Sequence, residues 1–354
     1  MSRKKAFNPD EFLRENIRNL KPYSSARSEF LGEADVFLDA NENALGSTAA
    51  GGLNRYPDPL QWRLKEALGL MKGVAPSQIF LGNGSDEPID LMLRAFCRPG
   101  LDEIIIMPPT YGMYAVSADI NDVKVLKAPL SESFEIAPGA VFSAASESTK
   151  IIFICSPNNP TGNCFDPESI KKILQEFSGL VVLDEAYIDY APEGSFLASL
   201  SEYPNLVVLQ TFSKAWGMAS LRLGVLYASS KIVNILNKVK PPYNLSGLTQ
   251  KTALRALENE VQKNAWVQET ISEREKLSRR LLELDFVLKV YPSEANFLLV
   301  KTANAAKIYH ALVKKGIVVR DRSKLENCAN CLRITVGAPM ENRRLLQALE
   351  SIEF

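Results

Sequence analysis

The sequence predicts an α/β protein in which a mostly parallel central sheet is flanked by helices and followed by a smaller α+β domain. Three observations carry that prediction. The chain has 354 residues, long for one compact core, so two domains are expected. Its middle alternates short apolar runs with helical segments, the order from which parallel sheets are built. After about Pro241-Pro242 the pattern changes to long helical stretches, then to strands mixed with helices.

The apolar runs are Ile79 to Leu81, Glu103 to Met107, Lys150 to Cys155, Leu180 to Asp184, Leu206 to Leu209 and Leu223 to Tyr227. Each is short, β-branched and closed by Gly, Pro, Ser or Asp, as strands buried on both faces read. Asp166 to Phe177 lies between two of them and opens with Asp-Pro-Glu, as a helix N-terminus should. Farther on, Ser246 to Leu284 reads as one or two long helices. Val287 to Val290, Phe297 to Val300, Ile317 to Arg320 and Leu332 to Val336 read as strands, with helices at Ala303 to Lys315 and Glu341 to Ile352. The expected division is a segment 1–45, too poor in core to fold alone and docking on the smaller unit, a large domain 46–242 and a small domain 243–354.

Composition narrows the partners. Hydrophobic residues make up 46% and charged residues 23% of the chain, ordinary for a soluble enzyme. The 41 Lys and Arg balance the 41 Asp and Glu, so no overall field favours nucleic acid or an anionic membrane. An anionic ligand therefore needs a local pocket. Met1-Ser2-Arg3-Lys4-Lys5 is not followed by an apolar run, and no stretch approaches the roughly 18 apolar residues of a membrane helix; a cytoplasmic protein is expected. The five cysteines suit reduced thiols. Cys328 and Cys331 form one CxxC, with Cys155 and Cys164 as the spare pair. Small buried thiols are favoured over a zinc site, so no metal is expected. The single histidine, His310, gives a His-based triad or multi-His metal site little to build on. The catalytic base must be another group.

The chemistry-bearing residues fall where the apolar runs end, the place at which open α/β sheets bind ligands. Leu81-Gly82-Asn83-Gly84-Ser85-Asp86-Glu87-Pro88 leads into the helical Ile89 to Cys97. Glycines let backbone approach a ligand, Ser85 can cap the helix, and free amides at a helix N-terminus suit a phosphate. An ordinary capped loop reads the same way, so this segment alone leaves both open. Ser156-Pro157-Asn158-Asn159-Pro160-Thr161-Gly162 follows a strand. A rigid turn is its plain reading; pre-organised amides holding a ligand oxygen explain two asparagines between two prolines better.

Asp184-Glu185-Ala186-Tyr187 puts a carboxylate at the end of an apolar strand. There it either caps a loop or pairs with a cation such as a protonated pyridine nitrogen. Thr211-Phe212-Ser213-Lys214-Ala215-Trp216 places a lysine just past a buried strand, where burial or a nearby cation makes the amine nucleophilic. Arg222 can return to the same point and hold a phosphate. Each segment is ambiguous alone, but their order meets the needs of pyridoxal 5′-phosphate (PLP). That cofactor requires a carboxylate on its ring nitrogen, donors on its phenolic oxygen, anion donors on its phosphate and a lysine.

On these residues the chain resembles the fold-type I PLP-dependent aminotransferases of the aspartate aminotransferase superfamily. Within them it is most similar to the histidinol-phosphate aminotransferases. The resemblance runs from Asn16-Ile17-Arg18-Asn19-Leu20-Lys21-Pro22-Tyr23 to Leu332-Arg333-Ile334-Thr335-Val336-Gly337, nearly the whole chain. It includes Leu38-Asp39-Ala40-Asn41-Glu42-Asn43, Arg55-Tyr56-Pro57-Asp58 and Gly316-Ile317-Val318-Val319-Arg320. One departure is Pro88, where an aliphatic residue is more usual; it falls in a helix's first turn, where proline is tolerated.

The resemblance implies that Lys214 holds the cofactor covalently and serves as general base. Asp184 would pair with the ring nitrogen, Tyr187 and Asn159 would bond the phenolic oxygen, and Tyr111 would stack on the ring. Gly84, Ser85, Thr211, Ser213 and Arg222 would hold the phosphate, with Asp86 supporting that turn and Tyr56 reaching it from a neighbouring subunit of a homodimer. Arg333 would bind the glutamate carboxylate, with Arg320, Tyr23 and Asn43 near the substrate. The implied reaction is transamination between L-histidinol phosphate and 2-oxoglutarate, giving imidazole acetol phosphate and glutamate in histidine biosynthesis. A broader aromatic or aspartate-type aminotransferase, or a phospho-amino-acid decarboxylase, could use the same scaffold. A PLP-fold binding module or a nucleotide-dependent oxidoreductase belongs to another class, the latter disfavoured because no GxGxxG opens a strand–helix unit.

Overall fold

The computed structural model describes residues 7–24, 34–49, 52–192 and 194–352. Strands β1 (Ile79–Asn83), β2 (Glu103–Ile106), β3 (Lys124–Lys127), β4 (Thr149–Cys155), β5 (Leu180–Asp184), β6 (Leu206–Thr211) and β7 (Leu223–Ala228) form one sheet in the order β1-β7-β6-β5-β4-β2-β3. All neighbours in it are parallel except β7, which runs antiparallel to β1 and to β6. A second sheet is antiparallel throughout, ordered β10 (Arg320–Asp321), β11 (Cys331–Thr335), β9 (Phe297–Thr302), β8 (Val287–Val290).

The helices are α1 (Glu15–Arg18), α2 (Trp62–Lys72), α3 (Asp86–Phe96), α4 (Met113–Ile120), α5 (Pro138–Ala144), α6 (Pro167–Glu176), α7 (Ser230–Val239), α8 (Gly247–Leu257), α9 (Glu260–Leu281), α10 (Ala305–Lys314) and α11 (Pro339–Glu350). The central strands β4 to β7 are buried almost throughout. Helix layers on the two sides explain their apolar runs, since alternating side chains must meet apolar surface on both faces. Asp166 caps α6 by accepting from the Glu168 and Ser169 amides. Pro88 lies in the first turn of α3.

Four expectations change. β3 escaped notice because its four residues, Lys-Val-Leu-Lys, lie at the sheet edge with both lysines exposed. The strand expected over Ile317 to Arg320 shrinks to β10, because Ile317 still closes α10 through its amide to the Leu312 carbonyl. The N-terminal segment, where described, packs on the large unit rather than the smaller one. Phe7, Phe12 and Leu13 cover the core containing Phe80 and Phe96, Arg14 N donates to Ala95 O, and Lys238 Nζ donates to Ile17 O at 2.8 Å. Three apolar side chains so placed shield α3 and α7 from water. Finally, α8 adds Ala253 and Leu257 to the core of Leu64 and Leu68, so packing on the large unit continues past Pro242 to Leu257. The smaller core, with Leu281, Leu298, Ile308 and Leu345, is built by α9 to α11 and the antiparallel sheet.

Among the described residues, no helix is long and apolar enough to cross a membrane. The five cysteines are free thiols. Among the described residues no three His, Cys, Asp or Glu side chains converge on a metal-sized site.

Candidate active site

The C-terminal ends of β4, β5 and β6 lie side by side because the strands are parallel and in register, Cys155 beside Asp184 and Asp184 beside Leu209. Loops leaving those ends and the turn after β1 line a cleft with Ser85, Asp86, Tyr111, Asp184, Lys214 and Arg222 among others.

At its floor Asp184 is only 2% exposed. Its Oδ2 accepts from Tyr114 Oη at 2.6 Å and its Oδ1 from Ala186 N at 3.1 Å. Burial nevertheless dominates and pushes its pKa up to about 6, since a carboxylate without a contacting cation is poorly solvated there. Tyr114 itself is fully buried in α4, its ring stacked on Phe153 at 4.8 Å. Glu185, on the opposite face of the same strand end, is buried and pushed up to about 7. It holds Ser195, Phe196 N and Gln210 rather than the cleft.

Lys214 follows β6, its Nζ 5.5 Å from the centre of the Tyr187 ring. Its pKa is lowered, first by burial and then by Arg333, with Asp184 opposing. The two asparagines of the β4 loop divide their work. Asn158 is wholly buried and locks the loop, donating to Pro109 O at 2.9 Å and to Thr161 Oγ1 at 2.8 Å. Asn159 faces the cleft, donating to Tyr187 Oη at 3.3 Å and accepting from Arg333 Nη1 at 2.6 Å. Arg333 also lies 5.3 Å over the Phe297 ring.

The turn after β1 forms a candidate anion cradle. Gly84 adopts φ +67°, which favours glycine, and a Cβ there would lie 2.6 Å from Arg222 Nη2 and displace that guanidinium. Its amide donates to Arg222 O at 2.8 Å. Arg222 also has a left-handed backbone, φ 54°, which an arginine rarely adopts. Its Nη2 sits 3.5 Å from Asp86 Oδ2, while Asp86 Oδ1 accepts from Tyr111 Oη at 3.0 Å. Ser85 stands at the N-cap of α3 without making a side-chain capping bond, contrary to the capping expected of it; it lines the cleft instead. Thr211 and Ser213 complete the wall, Thr211 Oγ1 accepting from Ser213 N at 3.1 Å.

The structure therefore brings Gly84, Ser85, Asp86, Tyr111, Asn159, Asp184, Tyr187, Thr211, Ser213, Lys214 and Arg222 together, with Arg333 attached through Asn159. Arg320 lies across the small sheet from Arg333. Tyr23 is 77% exposed, Asn43 accepts from Leu45 N, and Tyr56 stacks on Tyr243 in a separate concavity. None of these three lines the cleft within one chain. His310 is exposed on α10. Sequence reasoning missed Tyr114 and the locking role of Asn158: a helical tyrosine reads as core, and no local spacing announces its carboxylate partner.

The donor set fits PLP. A buried carboxylate whose pKa is raised by desolvation lacks the cation a protonated ring nitrogen supplies, and the glycine turn with Arg222 leaves a cradle a side chain would fill.

Comparison with known proteins agrees. The model for aminotransferase class I and II matches residues 28–352. The chain is 54% identical to the histidinol-phosphate aminotransferase of Cytophaga hutchinsonii over 346 residues, 98% of this chain and 99% of the relative. It is also 54% identical to that of Parabacteroides distasonis over 343 residues, 97% and 98%. Among solved structures, the histidinol-phosphate aminotransferase from Sinorhizobium meliloti in complex with pyridoxal-5′-phosphate superposes with TM-score 0.78 at 23% identity, over 89% of this chain and 90% of that one. The L-threonine-O-3-phosphate decarboxylase from Porphyromonas gingivalis gives 0.73 at 23%, over 84% and 90%; at such identities the likeness speaks for the fold alone. The chain belongs to the class I and II aminotransferases, PLP-dependent enzymes, within their histidinol-phosphate aminotransferase group.

Proposed function

We propose that this enzyme transfers the amino group of L-histidinol phosphate to 2-oxoglutarate, giving imidazole acetol phosphate and glutamate, as a cytoplasmic step of histidine biosynthesis. The naming of relatives at 54% identity supports the substrate pair. The observation that carries the chemistry is Lys214, an amine held below its ordinary pKa opposite a buried carboxylate. Five free thiols fit a reducing compartment.

Bound in the cleft, PLP supplies the electron sink that makes the substrate's Cα–H acidic. Asp184 would hold its ring nitrogen, Tyr187 and Asn159 its phenolic oxygen, Tyr111 its ring face, and Gly84, Ser85, Thr211, Ser213 and Arg222 its phosphate, with Asp86 fixing Arg222 and Tyr111. Lys214 would anchor the cofactor and, once released, would take the proton from the substrate's Cα and return it two bonds away, beyond the nitrogen being transferred. A lowered pKa suits both duties, because the amine must be unprotonated to begin either. Arg333 binds the carboxylate of glutamate as a planar fork. Arg320 would stand near the same anion, with Tyr23 and Asn43 near the substrate. Tyr56 would reach the cofactor phosphate of a second copy, which makes the enzyme a homodimer with shared sites.

The test is a half-reaction. Purified holoenzyme mixed with histidinol phosphate should lose the visible absorbance of lysine-bound cofactor within one turnover. Lys214→Ala should lack that band and fall at least about 100-fold in rate. A spectral response to glutamate but none to histidinol phosphate would remove the substrate while sparing the family.

A further inference from the structure

The second position after Arg320 carries another guanidinium with no place in the roles described so far. β10 and β11 pair Arg320 with Arg333 and Asp321 with Leu332. The ladder continues one step, since Arg322 N donates to Cys331 O at 2.8 Å. Side chains alternate between the faces of a sheet, so Arg320, Arg322 and Arg333 share one face. That face is turned to the cleft, as the 2.6 Å bond from Arg333 to Asn159 shows.

Three guanidiniums on one small face are an arrangement folding does not favour. Like charges directly opposite in a ladder destabilise it. No carboxylate relieves them: among the described residues none of the three is in an ion pair. Asp321, between Arg320 and Arg322, points to the other face and is engaged by Ser323 N at 2.8 Å and by the Ser323 hydroxyl. Arg322 Nε is buried and meets no acceptor. A buried donor without a protein partner calls for one from outside the chain, and an anion is the partner that also offsets its charge. Burial and Arg320 both disfavour the charge of Arg322, and Arg322 in turn acts on Arg333.

We propose that Arg322 is a specificity-determining residue for the phosphorylated amine, supplying the third guanidinium of an anion site that Arg320 and Arg333 begin. A carboxylate carries one negative charge and one fork satisfies it, as Arg333 offers. A phosphate monoester carries about −1.5 to −2 at neutral pH and presents three acceptor oxygens. Arg322 adds the charge and the unfilled donor that only the phosphate needs. This inference rests on the proposed reaction.

The experiment uses holoenzyme with Arg322→Gln and Arg322→Lys, after thermal melting of both. In Arg322→Gln the KM for histidinol phosphate should rise about tenfold or more with kcat within about twofold. The glutamate half-reaction should stay within about twofold of the parent. The parent's affinity for the phosphorylated amine should strengthen as pH rises through the second phosphate ionisation near about 6; Arg322→Gln should flatten that rise. Arg322→Lys should recover part of the loss, having the charge without the fork. Equal losses with both substrates would mean that Arg322 merely supports its loop, and unchanged KM would mean that it does nothing here; either result overturns the proposal. Inorganic phosphate, as inhibitor of the glutamate half-reaction, tests Arg322 separately. If the parent rejects histidinol phosphate, the reaction assignment fails, yet weaker inhibition by phosphate in Arg322→Gln still supports the anion site, and unchanged inhibition removes it.

Discussion

Asp184 is held by two hydrogen bonds that favour its charge and by burial that opposes it, and burial prevails. A protonated ring nitrogen in contact with such a residue would offset that burial and favour the ionised form. Tyr114 fixes the direction in which that carboxylate points. Tyr114→Phe keeps the ring's stacking on Phe153 and removes one bond to a charged acceptor, a loss of about 1.5–3 kcal/mol. Apoenzyme titrated with PLP should therefore bind it about 10–100-fold more weakly; affinity within twofold of the parent would deny Tyr114 this part. At this scale the sequence was legible where a residue is chemically out of place, as Asp184 and Lys214 are at the ends of apolar strands. Tyr114 was not, because an aromatic side chain in a helix is ordinary. Arg322 hid beside a neighbour that already seemed to explain the spot.

Among the elements, α9 does more than join two units. In its first turn Lys263 Nζ lies 2.9 Å from Asp189 Oδ1, both little exposed, and 5.4 Å over the Trp216 ring. Trp216 stacks on Phe212 at 5.2 Å, and these two flank the turn that carries Lys214. The start of a long helix thus braces the turn that carries Lys214. Lys263→Met leaves Asp189 without its cation and should cost roughly 3 kcal/mol in urea unfolding. Adding Asp189→Asn should restore part of it, and independent, additive effects would refute the brace. Buried strands were legible because burial on both faces leaves an unbroken apolar run. Edge strands were not: β3 has only two apolar residues, and β10 only a pair of charged ones.

For the whole molecule, one chain leaves its surface unfinished. Leu45 is 99% and Leu38 84% exposed, on the same stretch of chain that carries Asn43 and Tyr56, and apolar surface of this kind marks an interface. The protein should sediment at twice its 39.2 kDa chain mass. Leu38→Asp with Leu45→Asp should raise the dimer dissociation constant more than tenfold and lower PLP retention with it. A parent that sediments as a single chain at micromolar concentration would end the shared-site reading. Pattern and length revealed two units, but not what the N-terminal segment lies on. Phe7, Phe12 and Leu13 would cover either unit equally well, and only the assembled surface of α3 and α7 decides.

The turn proposed to hold the cofactor phosphate is pressed against the sheet itself. A side chain at Gly224 would run into the backbone of Gly84, so the cradle keeps its shape only while β1 and β7 stay aligned Gly82 to Gly224. The enzyme's colour is thereby a gauge of its own assembly. A chain that closes this edge one residue out of step would be folded nearly everywhere and still bleach, and a screen for yellow colonies would select strand alignment before it selected catalysis.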